Sequence, residues 1–347
     1  MLVSRSPARS HMPRIGRAAA VLCAAALLVF LMVCDLVTGP SGMPLAKVVG
    51  GLAAGPGGAD RTVATILWSI RMPQTLTGAL VGGCLGLGGL MMQTILANPL
   101  ASSYTLGFSA AAGFGAALAI LFGAALPIAI WVQIPLAAFL STLTACAMVY
   151  AIARFRGAAP ETLVLAGIAV LFFFQSLQSL LQFMAAPEVL QQIVFWLFGS
   201  LLKASWTSVQ VIAAILLLSL PLILRDAWNL TSLRLGDANA ASLGLDIEAL
   251  RRRGFVLVAL LTAAAVSFTG TIGFVGLIAP HVGRALVGED HRFALPIAGL
   301  FGAIILVAAS VIGKLISPGA VIPVGIITAI AGIPMLMAVI LGQGRRA

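Results

Sequence analysis

Residues 71–96 read RMPQTLTGALVGGCLGLGGLMMQTIL, and this stretch decides the fold. After Arg71 it carries no charge, and it is long enough to cross a bilayer core, which takes about 20 apolar residues as a helix. Gly78, Gly82 and Gly86 recur every four positions, with Gly83 and Gly89 beside them. Small residues at that spacing let two helix backbones approach closely in lipid, where burial of apolar surface gives no drive for association. Close packing is the main reading of this series, and contact with a ligand is the alternative. A membrane strand would alternate apolar and polar residues, and this run is continuous.

The rest of the chain agrees. Its 347 residues are 61% hydrophobic and 9% charged, with a mean hydropathy of +1.12. Soluble domains carry roughly 25% charged residues, so lipid must be the solvent for most of this chain. The net charge is +10, but no basic stripe with interleaved aromatics suggests nucleic acid. Cys23, Cys34, Cys84 and Cys146 lie in apolar stretches without a CxxC pair. They read as small hydrophobes within helices, not as a disulfide framework or a metal site. Arg5, Arg9, Arg14 and Arg17 precede the apolar run 18–34. That run is longer than a signal-peptide core and lacks a small-x-small cleavage site, so it is expected to be a retained first span behind a cytoplasmic tail, 1–17.

Ten spans are expected, at about 18–37, 75–96, 104–124, 131–152, 162–184, 208–225, 254–271, 272–287, 294–313 and 322–342. The eighth is short and holds Pro280. The basic residues check this topology. Lys47, Arg61, Arg71, Lys203 and Lys314 fall on one side, and the other 15 of the 20 fall on the side of the N-terminus. By the positive-inside rule both termini are then cytoplasmic. Residues 38–71 form an external segment with one short interfacial helix expected. Residues 228–253 form the longest cytoplasmic loop, read as two helical pieces broken at Gly244. Asp237, early in the first piece, suits the positive end of a helix dipole.

Few polar residues enter the spans. Gln175, Gln178, Ser179 and Gln182 fall on one face of the fifth,. Amides at membrane depth must face protein or water, so they either join helices or line a polar path. No Asp or Glu sits at the centre of a span, which counts against a proton-coupled carrier. His281 is the one histidine expected within a span; His11 and His291 are expected in cytoplasmic segments. No second metal ligand stands at suitable spacing. No nucleophile–base pair or paired carboxylates argue for a membrane enzyme. No G-x-x-x-x-G-K-[ST] loop is present, so any ATP must be bound by another subunit.

Taken together, several segments resemble one family. They are 71–76 (RMPQTL), Met92-Gln93, 98–101 (NPLA), 106–109 (LGFS), 235–237 (LGD), Ala241, 243–245 (LGL), 270–281 (GTIGFVGLIAPH), 290–292 (DHR) and 323–329 (PVGIITA). Their order and spacing are similar to those of the permeases of ABC importers for ferric siderophores, haem and vitamin B12. The resemblance covers about 18–342. It implies an all-α integral membrane protein of about ten helices forming one permease domain over 1–347. It also implies a second permease copy (a homodimer expected), two ATPase subunits and a periplasmic substrate-binding protein, in the bacterial inner membrane. No cofactor is expected on this chain, and ATP and Mg are expected on the ATPase.

The resemblance also implies roles. The loop at about 229–253, with Leu235, Gly236, Asp237, Ala241, Leu243, Gly244 and Arg251, would couple to the ATPase. Arg71 and Lys314 would dock the binding protein, and Gln74 stands where the family places a third such charge. Pro160 and Glu161 stand at the cytoplasmic gate, where hydroxyl residues occur in the vitamin B12 permease. The fifth span lines the family's path, which favours the polar-path reading of Gln175, Gln178 and Gln182. The expectation is therefore an import permease for a ferric siderophore, with haem and corrinoids next. An ion-coupled carrier is the rival from another class, and it has no reason to build the 235–251 loop.

Overall fold

The computed structural model describes residues 14–123, 127–155, 159–316 and 321–344. Among these the regular structure is entirely helical: α1 (Arg14–Val37), α2 (Leu45–Ala54), α3 (Arg61–Ala64), α4 (Met72–Ile95), α5 (Phe108–Phe122), α6 (Ile130–Arg154), α7 (Pro160–Met184) and α8 (Pro187–Leu197). Then follow α9 (Trp206–Arg225), α10 (Ala227–Leu233), α11 (Asp237–Ser242), α12 (Ile247–Thr269), α13 (Val275–Val287), α14 (His291–Ile316) and α15 (Val324–Gly344). A π-helical turn, Thr65–Arg71, joins α3 to α4 without a break. Among the described residues, seven helices are long and apolar enough to cross a membrane. With α5, α13 and α15 they occupy the ten expected spans.

The glycine-rich helix α4 is the axis of the bundle. Nearly every residue from Val81 to Ile95 is buried, so the helix is apolar all round and has no amphipathic face. A Cβ on Gly82 would lie 2.2 Å from the Gly302 carbonyl oxygen of α14, and one on Gly86 would lie 2.1 Å from that of Ala298. On the next turn a Cβ on Gly89 would meet the Gly276 oxygen of α13 at 2.0 Å. The spacing-of-four glycines are therefore packing surfaces, as their pattern predicts. Cys84 and Cys146 are buried among apolar neighbours, whereas Cys23 is exposed on α1.

The structure departs from expectation in four places. The segment 38–71 holds α2 and also α3, and the latter runs through the π turn into α4, so Arg61 to Ile95 is one continuous rod. The loop after α9 breaks at two glycines, Gly236 (φ 93°) and Gly244 (φ 79°). Its last piece is already the start of α12, which places Arg251–Arg253 inside a helix. The eighth span starts at Val275 because residues 270–274 are not helical. Gly270 is left-handed there, with no room for a Cβ against the Trp196 oxygen. Ser200 N–H donates to the Thr269 oxygen at 2.7 Å, and the Thr271 hydroxyl donates to Leu197. Irregular backbone at membrane depth is tolerated where protein satisfies it in this way. Finally, α8 is an additional short helix between the fifth and sixth spans. Pro187 at its first turn and Glu188 beside it are start signals that the sequence carried,.

Candidate functional site

Contacts between α1, α4 and α14 sort the molecule into two ends. At one end the starts of α1 and α14 meet the end of α4. Arg17 lies 3.7 Å from Asp290 and stacks over Phe293. Asp290 accepts hydrogen bonds from Arg292, which hold its carboxyl below the usual range. Short helices α10 and α11 belong to this end. Thr231 of α10 contacts His291, Arg251 of α12 donates to Asp237 of α11 at 2.8 Å, and Arg253 pairs with Asp226 at the head of α10.

The α10–α11 segment is held from below and open above. Leu230, Leu233 and Ala240 are buried against the bundle. Leu235 and Leu243, at the two glycine turns, are each 62% exposed. Gly236, Ala241 and Gly244 are exposed beside them. Positive φ at Gly236 and Gly244 lets the chain reverse twice within ten residues, which a side chain would oppose,. Asp237 opens α11, and its carboxylate is occupied by Arg251 as well as lying at a helix start. The two exposed leucines make a small apolar face at this end of the bundle,.

At the opposite end Arg71 and Lys314 come together, but not as free charges. Arg71 is 4% exposed and Lys314 9%. The Arg71 guanidinium donates to the carbonyls of Leu36 and Val37, at 2.5 and 2.9 Å, and to the Ser41 hydroxyl. Lys314 Nζ donates to the Asp35 carbonyl at 3.1 Å and lies 2.8 Å from its carboxylate. Thr75 donates to the other carboxylate oxygen. These carbonyls are the last of α1, which have no partner within their own helix. The two cations therefore cap α1, where basic side chains and the helix dipole agree. In this structure both charges have partners inside the chain. Gln74 is also buried, beside them.

The face of α7 divides. Gln175 and Ser179 are exposed and Gln182 is half-buried, among the exposed Phe172, Phe173, Phe183 and Met184. Gln178 turns inward, where its amide oxygen covers Gly113 of α5 in space that a Cβ would need. Gln178 thus lies against α5, while Gln175 and Ser179 are exposed. Pro160 and Glu161 form the first turn of α7, with Glu161 exposed. His281 lies in α13, as expected, and lines an apolar groove with Pro99, Phe274 and Met335. His291 is the first residue of α14 and is completely buried.

Residues 27–342 match the FecCD transport family. The chain belongs to the FecCD transport family. This member is 35% identical over 281 residues to the cobalamin import system permease of Halobacterium salinarum, across 81% of this chain and 74% of that one. It is 34% identical to the Fe(3+)-citrate import system permease YfmD of Bacillus subtilis, across 78% of this chain and 80% of that one. It is also 34% identical to the hemin transport system permease of Yersinia pestis, across 80% and 84%. Among solved structures, an inward-facing ABC transporter described as metal-chelate type superposes with a TM-score of 0.82 at 30% identity, covering 95% of this FecCD chain and all of that one. The all-helical permease fold and the family expected from the sequence are both borne out.

Proposed function

We propose that this chain is the membrane permease of an ATP-driven importer for a ferric siderophore, working as a pair of copies with two separate ATPase subunits and an external binding protein. The observation that carries the reading is the α10–α11 segment: an apolar face held rigidly at one end of a FecCD bundle. A carrier driven by an ion gradient has no use for such a face. The catalytic work of ATP and Mg falls to the ATPase, and this chain supplies alternating access. The end bearing Arg17, Arg234 and Arg292 is cytoplasmic, with both termini on that side, in a bacterial inner membrane.

Within this reading, Gln175, Ser179 and Gln182 line the path between two copies, and Pro160 and Glu161 stand at its cytoplasmic mouth. Haem and cobalamin are the second reading of the cargo, because relatives named for hemin and cobalamin are as similar as the one named for ferric citrate.

Replacing Leu235 and Leu243 together by Asp tests the docking face. Both side chains are exposed, so the permease is expected to keep its thermal midpoint. Binding of the cognate ATPase, measured by co-purification and titration in detergent, is expected to weaken about a hundredfold, since two buried leucine anchors are worth about 3 kcal/mol. Undiminished binding would remove the loop from the docking surface.

A further inference from the structure

Resting on this coupling reading, we infer that His291 and Thr94 form the positioning contact through which movement of α10 reaches the central helix α4. His291 is fully buried where α4, α10 and the α13–α14 turn converge. Its backbone N–H donates to the Thr231 hydroxyl of α10 at 3.0 Å. Ring Nδ1 lies 3.1 Å from the Glu289 carbonyl oxygen, and ring Nε2 lies 2.7 Å from the Thr94 hydroxyl. A carbonyl only accepts, so Nδ1 carries the proton and Nε2 accepts from Thr94. That assigns the Thr94 proton to the imidazole in preference to the Leu90 carbonyl, 2.9 Å away.

A second strut runs beside it. Arg251 grips Asp237 of α11 with one nitrogen and the carbonyl of Ile95, next to Thr94, with another at 3.3 Å. Both short helices are therefore bonded to the last turn of α4. Helix α4 in turn meets α14 and α13 backbone to backbone at Gly82, Gly86 and Gly89. Close-packed elements transmit displacement without slack, so a push on the docking face is delivered to the axis of the bundle. The imidazole suits this post because it accepts on one side and donates on the other while remaining neutral in a dry site.

Thr94→Val keeps shape and removes the hydroxyl; His291→Asn keeps the bond toward Glu289 and loses the reach to Thr94. In the reconstituted complex with its cognate ATPase and binding protein, each is expected to lower substrate carried per ATP about tenfold. ATPase affinity should stay near wild type, and each variant should still fold, with a modestly lower thermal midpoint because a buried partner is lost. The double variant should fall no further than either single one, because both remove the same contact. A wild-type ratio in Thr94→Val, or losses that multiply in the double variant, would overturn the inference. In the isolated chain, amide exchange in α10 is expected to quicken about tenfold in Thr94→Val; unchanged exchange would overturn the link itself. A wild-type complex with no uptake tied to ATP would instead sink the importer reading, whatever the exchange result.

Discussion

Lys314→Met is expected to cost the protein most of its folded yield, and adding Asp35→Asn is expected to return it. Asp35 is fully buried, with its carboxylate between Lys314 at 2.8 Å and the Thr75 hydroxyl. Removing the lysine leaves a carboxylate in a dry site without its counter-ion, and breaking a buried pair in that way costs about 3–5 kcal/mol. The nearby Arg71 guanidinium softens the loss but cannot replace the lysine, because its own bonds go to Leu36, Val37 and Ser41. Against a total stability of about 5–15 kcal/mol, the single variant should melt far below the parent. The double variant removes the orphan charge and retains an amide for Thr75. Thermal unfolding in detergent, followed by size-exclusion chromatography, measures both. A Lys314→Met protein as stable as the parent would mean that the pair does not hold α1 to α14.

The second large effect belongs to Gly302→Val. A Cβ on Gly302 would lie 2.0 Å from the Gly82 carbonyl oxygen, and Gly82 and Gly302 meet reciprocally. The obstructing atoms are backbone, so no side chain swings aside. The helices must separate, and overpacking of about 3 kcal/mol or more follows. In lipid, close van der Waals packing is what holds such helices together, so separation forfeits the main source of cohesion. Gly50→Ala in α2 is the matched control: nothing lies within 4 Å of the added methyl, and alanine favours a helix by up to about 1 kcal/mol. Yield and thermal midpoint should fall sharply for Gly302→Val and hold or rise for Gly50→Ala. Equal behaviour of the two would show that the α4–α14 contact carries no special load.

The spans were legible because each is a continuous apolar run, a signal carried by consecutive residues. The glycine face of α4 was legible for the same reason, since its period lies within one helix. What the sequence hid depends on distant partners. The burial of Arg71 and Lys314 is hidden because nothing near either announces Asp35, which lies 279 positions from Lys314. The burial of His291 is hidden because Thr94 and Thr231 stand 197 and 60 positions away. Gln178 shares a helix face with Gln175 and Gln182, and nothing in that face announces its contact with Gly113 on α5. The breaks at Gly236 and Gly270 depend on left-handed backbone, which a glycine permits but does not announce,. Helix α8 is different, because its start signals, Pro187 and Glu188, are local and stand in the sequence itself.

The central claim is import driven by ATP, and uptake tests it most directly. Cells lacking this chain, with and without its restoration, would be offered radiolabelled ferric siderophores, haem and cobalamin in parallel. The account predicts that restoration returns uptake of a ferric siderophore, that uptake stops when the ATPase subunit is inactivated, and that it survives an uncoupler while ATP is maintained. Restored uptake that persists without ATP hydrolysis and collapses with the uncoupler would contradict it.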